Sequence, residues 1–141
     1  MRKRTKAREC ALQILYQIDV AKNDCEYCLY DYWQVNKDTD KDIVEFANDI
    51  VKGTLDNLKK IDKVISEYAT NWNINRMAVV DRNILRLATY ELLFLAEIPP
   101  KVSINEAVDI AKKYGDKDSG KFVNGVLDKI SKEESASGKK S

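Results

Sequence analysis

Apolar side chains recur along this chain at the three- and four-residue spacing of amphipathic helices. One such stripe near the start predicts a helix over about residues 5–22. An aromatic-rich segment, CEYCLYDYWQVN at residues 25–36, predicts a second helix. Asp40 precedes a third stripe and is expected to cap that helix, because its carboxylate can accept from backbone N–H groups of the first turn.

The third stripe covers residues 43–58 and resumes over residues 61–68. The spacing leaves open whether the second part forms a fourth helix or lengthens the third. Gly53 lies within the stripe and is interpreted as a point where two elements pack closely. Two polar stretches, NKDTDKD and TNWNIN, predict loops on either side of this region.

Residues 84–96 are apolar around most of the helix circumference, which is typical of a helix at the centre of a domain. The two prolines that follow are expected to end this helix. Ser103 and Glu106 have the spacing of a capping box, so the next helix is expected to start there. A left-handed Gly115 is expected to end it. The last helix is predicted from about Ser119 onward.

No segment alternates with the period of a strand, and no internal repeat is evident. The 141 residues, 44% of them hydrophobic, suit one domain with its own core. We therefore predict an all-α fold of about six or seven helices over residues 1–131. The polar residues 132–141 are predicted to form a disordered tail.

Charged side chains are distributed unevenly, although the net charge is only +1. A basic cluster gives residues 1–8 a charge of +5, and it consists of Arg2, Lys3, Arg4, Lys6 and Arg8. Residues 19–67 contain 12 acidic and 7 basic side chains, a net charge of −5. This asymmetry favours an anionic partner at the basic end and a cationic partner along the acidic flank.

The composition argues against catalysis and metal binding. The chain has no histidine, which is the commonest general base and transition-metal ligand. Cys25 and Cys28 form a lone C-x-x-C and only Cys10 is left as another soft ligand, so ordinary thiols are expected. No phosphate-binding glycine loop is evident, and we expect no cofactor and no enzymatic activity. Without a signal segment or a bilayer-spanning apolar run, the protein is expected to be cytoplasmic.

Two segments are candidates for binding RNA. In the basic cluster, like charges at the positive end of a helix dipole repel one another, and bound phosphates would relieve that repulsion. In GDKDSGKFVNGVLDKI, backbone donors at a helix start stand beside a lysine and an aromatic ring, a combination that suits single-stranded RNA. The residues concerned are Ser119, Gly120, Lys121 and Phe122. For the basic cluster, the alternative is a solvated tail without a ligand. For the second segment, the alternative is a capped helix with Phe122 in the core.

Three other positions are candidates for a protein interface. Asp81 and Arg86 are charges on the mostly apolar central helix. They are either rim residues paired with neighbours or an edge that contacts a partner. Tyr16 lies close to the stripe of the first helix and suits the core and an interface equally well.

Three stretches of the sequence, taken together, are specific enough to indicate a protein family. They are KARECALQILYQ near the start, VVDRNILRLATYELLF in the centre, and IPPKVSINEAVDIAKKYGDKDSGKFVNGVLDKI near the end. Over about residues 4–131 the chain resembles the NusB family of transcription antitermination factors. A related module begins a family of rRNA cytosine methyltransferases, and because this chain ends after the module, the stand-alone factor is expected.

The resemblance implies an all-helical fold of two bundles and a protein without catalytic activity. It implies binding of boxA RNA together with NusE, a protein of the small ribosomal subunit. The two would act within the RNA polymerase antitermination complex, which reads through terminators chiefly in rRNA operons. The positions that match the family's RNA-binding regions are Arg2, Lys3, Arg4, Lys6, Arg8, Asp118, Ser119, Lys121 and Phe122. Those that match its NusE-facing surface are Tyr16 and Asp81.

Within the basic cluster, contacts with bases are expected at Arg4 and Arg8, because a guanidinium forms bidentate bonds that a lysine cannot. Three other functions are alternatives on the sequence alone. An RNA-binding accessory in rRNA maturation or ribosome assembly would not affect transcription. A structural adaptor would use only the acidic flank, and a redox or metal protein would depend on Cys25 and Cys28. The sequence also leaves open whether the free protein forms a homodimer.

Overall fold

The computed structural model describes residues 2–70 and 72–135, with Ser135 described by its backbone alone. This part of the chain contains seven α-helices and no strand, so the prediction of an all-α fold is confirmed. The helices are Lys3–Ala21 (α1), Cys25–Val35 (α2), Lys41–Asp56 (α3), Leu58–Tyr68 (α4), Val79–Phe94 (α5), Pro100–Tyr114 (α6) and Ser119–Ile130 (α7). A short 310 turn, Ile74–Arg76, precedes α5.

The helices form two bundles that share α5. In the first bundle α1 packs against α3, and α2 packs across both. In the second, α6 packs against α7, and α4 contacts α7. Helix α5 contacts α1, α3, α4, α6 and α7, and its residues Ile84, Leu85, Leu87 and Leu92 are fully buried. The apolar circumference of residues 84–96 therefore predicted the position of this helix correctly.

Local signals set most of the helix ends. Lys22 ends α1 in the left-handed region at φ 59°. The carboxylate of Asp40 accepts from the backbone N–H of Asp42 at 2.8 Å, as expected of a cap for α3. Asn57 separates α3 from α4 and donates from its side chain to the carbonyl of Gly53 at 2.8 Å. Residues 58–68 thus form a fourth helix and do not extend the third.

Gly53 is the close-packing point that the sequence predicted. A Cβ at this position would overlap the ring of Tyr90 from α5. The Tyr90 hydroxyl donates to the carboxylate of Asp49, one turn earlier on α3, at 3.1 Å. The absence of a side chain at Gly53 therefore lets α3 accept a tyrosine from the central helix.

The start of α6 differs from the prediction. The helix begins at Pro100, because a proline at the first helical position needs no backbone N–H partner. Ser103 is consequently inside the helix and buried, and its hydroxyl donates to Glu91 of α5 at 2.8 Å. Ser103 and Glu106 do not form a capping box, and both side chains contact other helices instead.

Gly115 ends α6 as predicted, but not in the left-handed region. Its backbone is extended, at φ −91° and ψ −165°. A Cβ on Gly115 would overlap the side chain of Ser119. Glycine is needed here for the close approach of the α7 start and not for a positive φ.

The chain continues past α7 as a π-helical turn, Ser131–Ser135. The hydroxyl of Tyr68 on α4 donates to Glu134 within this turn at 2.7 Å. Residues 132–135 are therefore helical, contrary to the predicted start of a disordered tail at residue 132. Residues 136–141, the rest of that predicted tail, lie outside the described residues.

Candidate nucleic-acid interface

Four members of the basic cluster are exposed around the first turn of α1. These are Arg2, Lys3, Arg4 and Lys6. The side chain of Arg2, the residue that precedes the helix, makes no capping hydrogen bond to the described residues. The ammonium of Lys3 lies 3.2 Å from carboxylates of both Asp40 and Asp42, which raise the pKa of the lysine. The guanidinium of Arg4 lies 4.4 Å from the centre of the Phe46 ring.

Arg8, the fifth member of the basic cluster, is only 2% exposed. Its guanidinium donates to both carboxylate oxygens of Glu91 at 2.7 Å and to Glu106 at 3.2 Å. Burial opposes the charge, but the two carboxylates outweigh that effect and raise the pKa of Arg8. The placement contradicts the expectation that Arg8 grips RNA, because α1 turns this residue toward α5 and α6 rather than solvent.

A pocket of about 400 Å³ lies where the first turn of α1 meets the connection from α5 to α6, and we call it the corner pocket. Cations of the basic cluster stand at its rim. The remaining lining includes Thr5, Glu97, Ile98, Pro99, Val102 and Glu106. The Thr5 hydroxyl donates to Glu106 at 2.6 Å, and the guanidinium of Arg2 lies 3.7 Å from the second oxygen of that carboxylate.

The second predicted RNA region lies at the start of α7. Asp118 and Lys121 are exposed there, as an interface requires. Ser119 is buried and bonds within its own turn, since its hydroxyl accepts from the backbone N–H of Asp116 at 3.0 Å. The prediction that Ser119 contacts RNA does not match this placement. Phe122 is half-buried against the core, and its outer side faces a neighbouring aromatic ring.

That neighbour is Trp72, an exposed residue of the loop before α5. Its ring lies 5.5 Å from the Phe122 ring, centre to centre, in an edge-to-face arrangement. The two rings line a pocket of about 220 Å³, which we call the aromatic pocket, together with Met77, Ala78, Asp81, Asp116, Asp118 and Ser119. The sequence predicted only a loop at Trp72. A tryptophan in an otherwise polar loop is the signal that could have identified it.

Asp81, predicted as a contact for a protein partner, lies on the wall of the aromatic pocket and is 8% exposed. Burial and the charge of Asp116 raise the pKa of Asp81, while the nearby Ser119 hydroxyl opposes them. Its Oδ1 atom accepts no hydrogen bond from the described residues. The structure therefore groups Asp81 with the α7 region rather than with an exposed edge.

Tyr16, the other predicted partner contact, is partly exposed on α1. One turn later, Asp19 accepts from Arg82 at 2.8 and 2.9 Å and from Asn83 at 2.9 Å. Burial opposes ionisation of Asp19, but these partners outweigh it and lower the pKa of the carboxyl. Tyr16 thus lies one turn before the residue that joins α1 to the first half of α5, and Asp81 lies in the first turn of α5.

Arg86 completes this junction. It donates to both oxygens of Asp62 on α4 at 2.9 and 3.0 Å and to Asp19 at 3.1 Å. The sequence left two interpretations of Arg86 open. The structure agrees with the first, in which Arg86 lies at the rim of the core and pairs with neighbouring residues.

Long side chains of α1 and α6 join the two candidate RNA regions. In the middle of α6, Glu106 contacts Thr5 and Arg8. Seven residues later, or about 10 Å along the helix, Lys113 donates to both oxygens of Glu9 at 3.1 and 3.2 Å. Lys113 is thus an exposed cation, paired with Glu9, at the end of α6 that leads to α7, and it was not among the residues predicted from the sequence.

The described residues contain no group of three or more acidic or cysteine side chains that could hold a metal. All three cysteines are free thiols, and Cys10 and Cys28 are buried. Burial and nearby carboxylates raise the pKa of Cys25 and Cys28, which disfavours the reactive thiolate. In the same part of the chain, no helix is both long and apolar enough to cross a membrane.

A sequence profile of the NusB family matches residues 5–132. The chain belongs to the NusB family. A transcription antitermination protein NusB of Thermodesulfovibrio yellowstonii is 46% identical over 94% of this chain and 93% of its own length. A NusB of Anaeromyxobacter sp. is 50% identical over 91% of this chain and 89% of its own length.

Solved NusB structures share the fold. NusB of T. maritima superposes with a TM-score of 0.87 at 44% identity, covering 96% of this chain and 94% of its own. A structure of the antitermination factors NusB and NusE in complex with double-stranded RNA superposes with a TM-score of 0.85 at 35% identity, covering 94% of this chain and 98% of the matched chain. The resemblance to the NusB family and the two-bundle fold are thus confirmed.

Proposed function

We propose that this protein is a transcription antitermination factor that binds boxA-type RNA together with NusE and promotes read-through by RNA polymerase, chiefly in rRNA operons. The observation that carries the proposal is the match to the NusB chain solved with NusE and RNA, which extends over nearly all of both chains. Residues 1–131 would form the RNA-binding domain, which acts by binding and performs no chemical reaction. Its place of action is the cytoplasm, where nascent RNA is made.

The RNA would follow the exposed cations from the start of α1, along α6, to the start of α7. Arg2, Lys3, Arg4 and Lys6 supply one group of phosphate contacts, and Lys113 and Lys121 supply another. Phosphate contacts position a nucleic acid but carry little sequence information. Base recognition would come from the aromatic pocket, where Trp72 and Phe122 offer ring faces and Asp118 can accept from base amino groups.

NusE would bind the junction of α1 and α5 that carries Tyr16, next to the acidic flank of residues 19–67. Net charge there is negative, which suits a basic ribosomal protein. Asp81 would contribute from the wall of the aromatic pocket, so that the NusE and RNA surfaces adjoin. Two ligands on adjoining surfaces can strengthen one another's binding, and a reciprocal coupling of about 1–3 kcal/mol is typical.

Fluorescence anisotropy with a boxA-like RNA and a scrambled RNA, each with and without NusE at two salt concentrations, tests the proposal. We expect tighter binding to boxA, further strengthened by NusE, and weaker binding of both RNAs at the higher salt. Equal binding to both RNAs that ignores NusE would contradict it. A terminator read-through assay then distinguishes antitermination from a role in rRNA maturation.

A further inference from the structure

The corner pocket combines three kinds of lining that a simple phosphate site does not need. Its rim carries the cations Arg2, Lys3 and Arg4. One wall is apolar and is formed by Ile98, Pro99 and Val102. Its inner part carries the carboxylate of Glu106, whose side chain is 10% exposed.

The position of Glu106 is fixed by its neighbours. Its Oε1 atom accepts from Thr5 at 2.6 Å and from Arg8 at 3.2 Å. Arg8 is in turn held by the bidentate bonds to Glu91, which also accepts from Ser103. A carboxylate anchored through one oxygen presents its second oxygen in a defined direction, as recognition of a ligand requires.

The second oxygen, Oε2, takes no part in the bonds from Thr5 and Arg8, which both go to Oε1. It lies 3.7 Å from the guanidinium of Arg2, whose side chain is 88% exposed. An exposed arginine can move to a phosphate at little cost, because it leaves no buried group behind. Oε2 would then be available to accept a hydrogen bond from a ligand.

The lining selects a ligand that is negative outside and presents N–H donors inside. A free anion is disfavoured by Glu106 and Glu97, and a simple cation is disfavoured by the three rim cations. A nucleotide with an exocyclic amino group satisfies every part of the lining. Its phosphate meets the cations, its base lies on the apolar wall, and its amino group reaches the carboxylate. The volume of about 400 Å³ is sufficient for such a group.

We propose that the corner pocket binds one base of the RNA, and that Glu106 Oε2 accepts a hydrogen bond from its exocyclic amino group. Glu106 is then a specificity-determining residue that favours cytosine, adenine or guanine over uracil at one position. Uracil has no exocyclic amino group, and its single N–H donor on the base-pairing edge is flanked by two carbonyl oxygens that repel a carboxylate. This inference rests on the proposed function, since it assigns a base preference within the same RNA-binding surface.

The first test uses the natural protein and a series of boxA-like RNAs. In each RNA, one amino-bearing base is replaced by an analogue that lacks the exocyclic amino group, such as inosine for guanosine. We expect that the replacement at one position, the base contacted by Glu106, weakens binding by about 5- to 150-fold. This is the range of a good side-chain–base pair. A series in which no replacement weakens binding overturns the inference.

The second test compares Glu106→Gln with Glu97→Gln. Both remove one negative charge from the corner pocket, but Glu97 is an exposed residue of its lining and accepts no bond in the anchoring network. The Glu106→Gln amide can keep its oxygen toward Thr5 and Arg8 and turn its NH₂ group to the pocket. We expect this variant to lose the penalty for the analogue and to bind uridine better at that position, while Glu97→Gln keeps the natural preference.

Equal effects of the two substitutions on all RNAs would indicate charge alone and would overturn the inference. Thermal unfolding of both variants shows whether they are folded. The analogue series on the natural protein remains a valid test even if one of the variants is unfolded. Failure of the natural protein to bind boxA-like RNA at low salt would instead reject the proposed function. Binding without a Glu106-dependent position would reject only the role of the corner pocket.

Discussion

Arg8 and Glu91 form a buried bidentate ion pair that joins α1 to α5, with both nitrogen–oxygen distances at 2.7 Å. The partners lie 83 residues apart in the chain. Glu91 is a fully buried carboxylate on the central helix α5. Arg8 is therefore a structural residue, although its neighbours Arg4 and Lys6 are exposed.

This pair predicts a large loss of stability for Arg8→Ala. The substitution removes the bidentate cationic partner of the buried Glu91, and breaking a buried ion pair in this way typically costs about 3–5 kcal/mol. Urea unfolding followed by circular dichroism measures the change. Arg4→Ala, an exposed position on the same helix, is the control and should cost less than about 1 kcal/mol. Similar losses in the two variants would contradict a structural role for Arg8.

Packing at Gly53 predicts opposite effects for two glycine substitutions. Gly53→Ala places a methyl group against the Tyr90 ring and should destabilise the fold by about 1–3 kcal/mol. Gly125→Ala, within α7 and with nothing within 4 Å of the added carbon, should stabilise it by about 0.5–1 kcal/mol. Thermal unfolding of the two variants measures whether each substitution lowers or raises the stability of the fold. A stabilising Gly53→Ala would show that the Tyr90 ring moves freely.

Asp81 and Asp19 have pKa values shifted in opposite directions, and they predict opposite pH dependences. The pKa of Asp81 is raised in the folded protein, so its ionisation reduces stability as pH rises above the ordinary value of 3.8. Asp81→Asn should therefore stabilise the protein at pH 7, with a gain that vanishes toward pH 3. Denaturant unfolding at several pH values measures this gain, and a constant gain would argue against titration of Asp81.

The pKa of Asp19 is lowered in the folded protein, so its contribution is present above 3.8 and is lost as pH falls. Asp19→Asn should destabilise the protein at pH 7 by about 1.5–3 kcal/mol, since it weakens charge-assisted bonds to Arg82 and Arg86. The same unfolding series provides the measurement. The destabilisation by Asp19→Asn should become smaller at acidic pH. A destabilisation that increases at acidic pH would contradict the lowered pKa of Asp19.

The exposed cations predict a change in salt dependence. Lys6→Ala should weaken RNA binding and reduce the slope of log affinity against log salt by about 0.7, the value for one phosphate contact of a single strand. Lys41→Ala, which removes an exposed lysine from the acidic flank, is the matched control and should leave the slope unchanged. Anisotropy titrations over a range of salt concentrations provide the measurement. Equal slopes for both variants would remove Lys6 from the interface.

The aromatic pocket predicts a loss of RNA affinity for Trp72→Ala. Stacking of a base on an aromatic side chain is typically worth about 1–3 kcal/mol, or roughly 5- to 150-fold in affinity. Because Trp72 is exposed, the fold should tolerate the change. Tyr30→Ala on α2, another exposed aromatic, serves as the control and should bind RNA normally. If both variants bind RNA like the natural protein, the aromatic pocket does not hold a base.

The periodicity of apolar residues by itself determined the helices and the central position of α5. This succeeded because a helix buries one face, so its three- and four-residue spacing is visible in the local sequence. The same holds for the Asp40 cap and the close packing at Gly53, which depend on neighbouring residues and on the lack of a side chain. The family resemblance likewise required only the linear order of three stretches.

Only the tertiary structure decided which charged and polar side chains are buried and which are exposed. Arg4 and Arg8 are one helical turn apart, yet the first is exposed and the second is buried against Glu91. Ser103 and Ser119 have the local pattern of capping or ligand-binding residues, but packing assigns each to an internal bond. Burying a charged side chain is costly unless a partner compensates it, and the partner of Arg8 comes from another helix. That partner is supplied by a segment about eighty residues away, which no local pattern reveals.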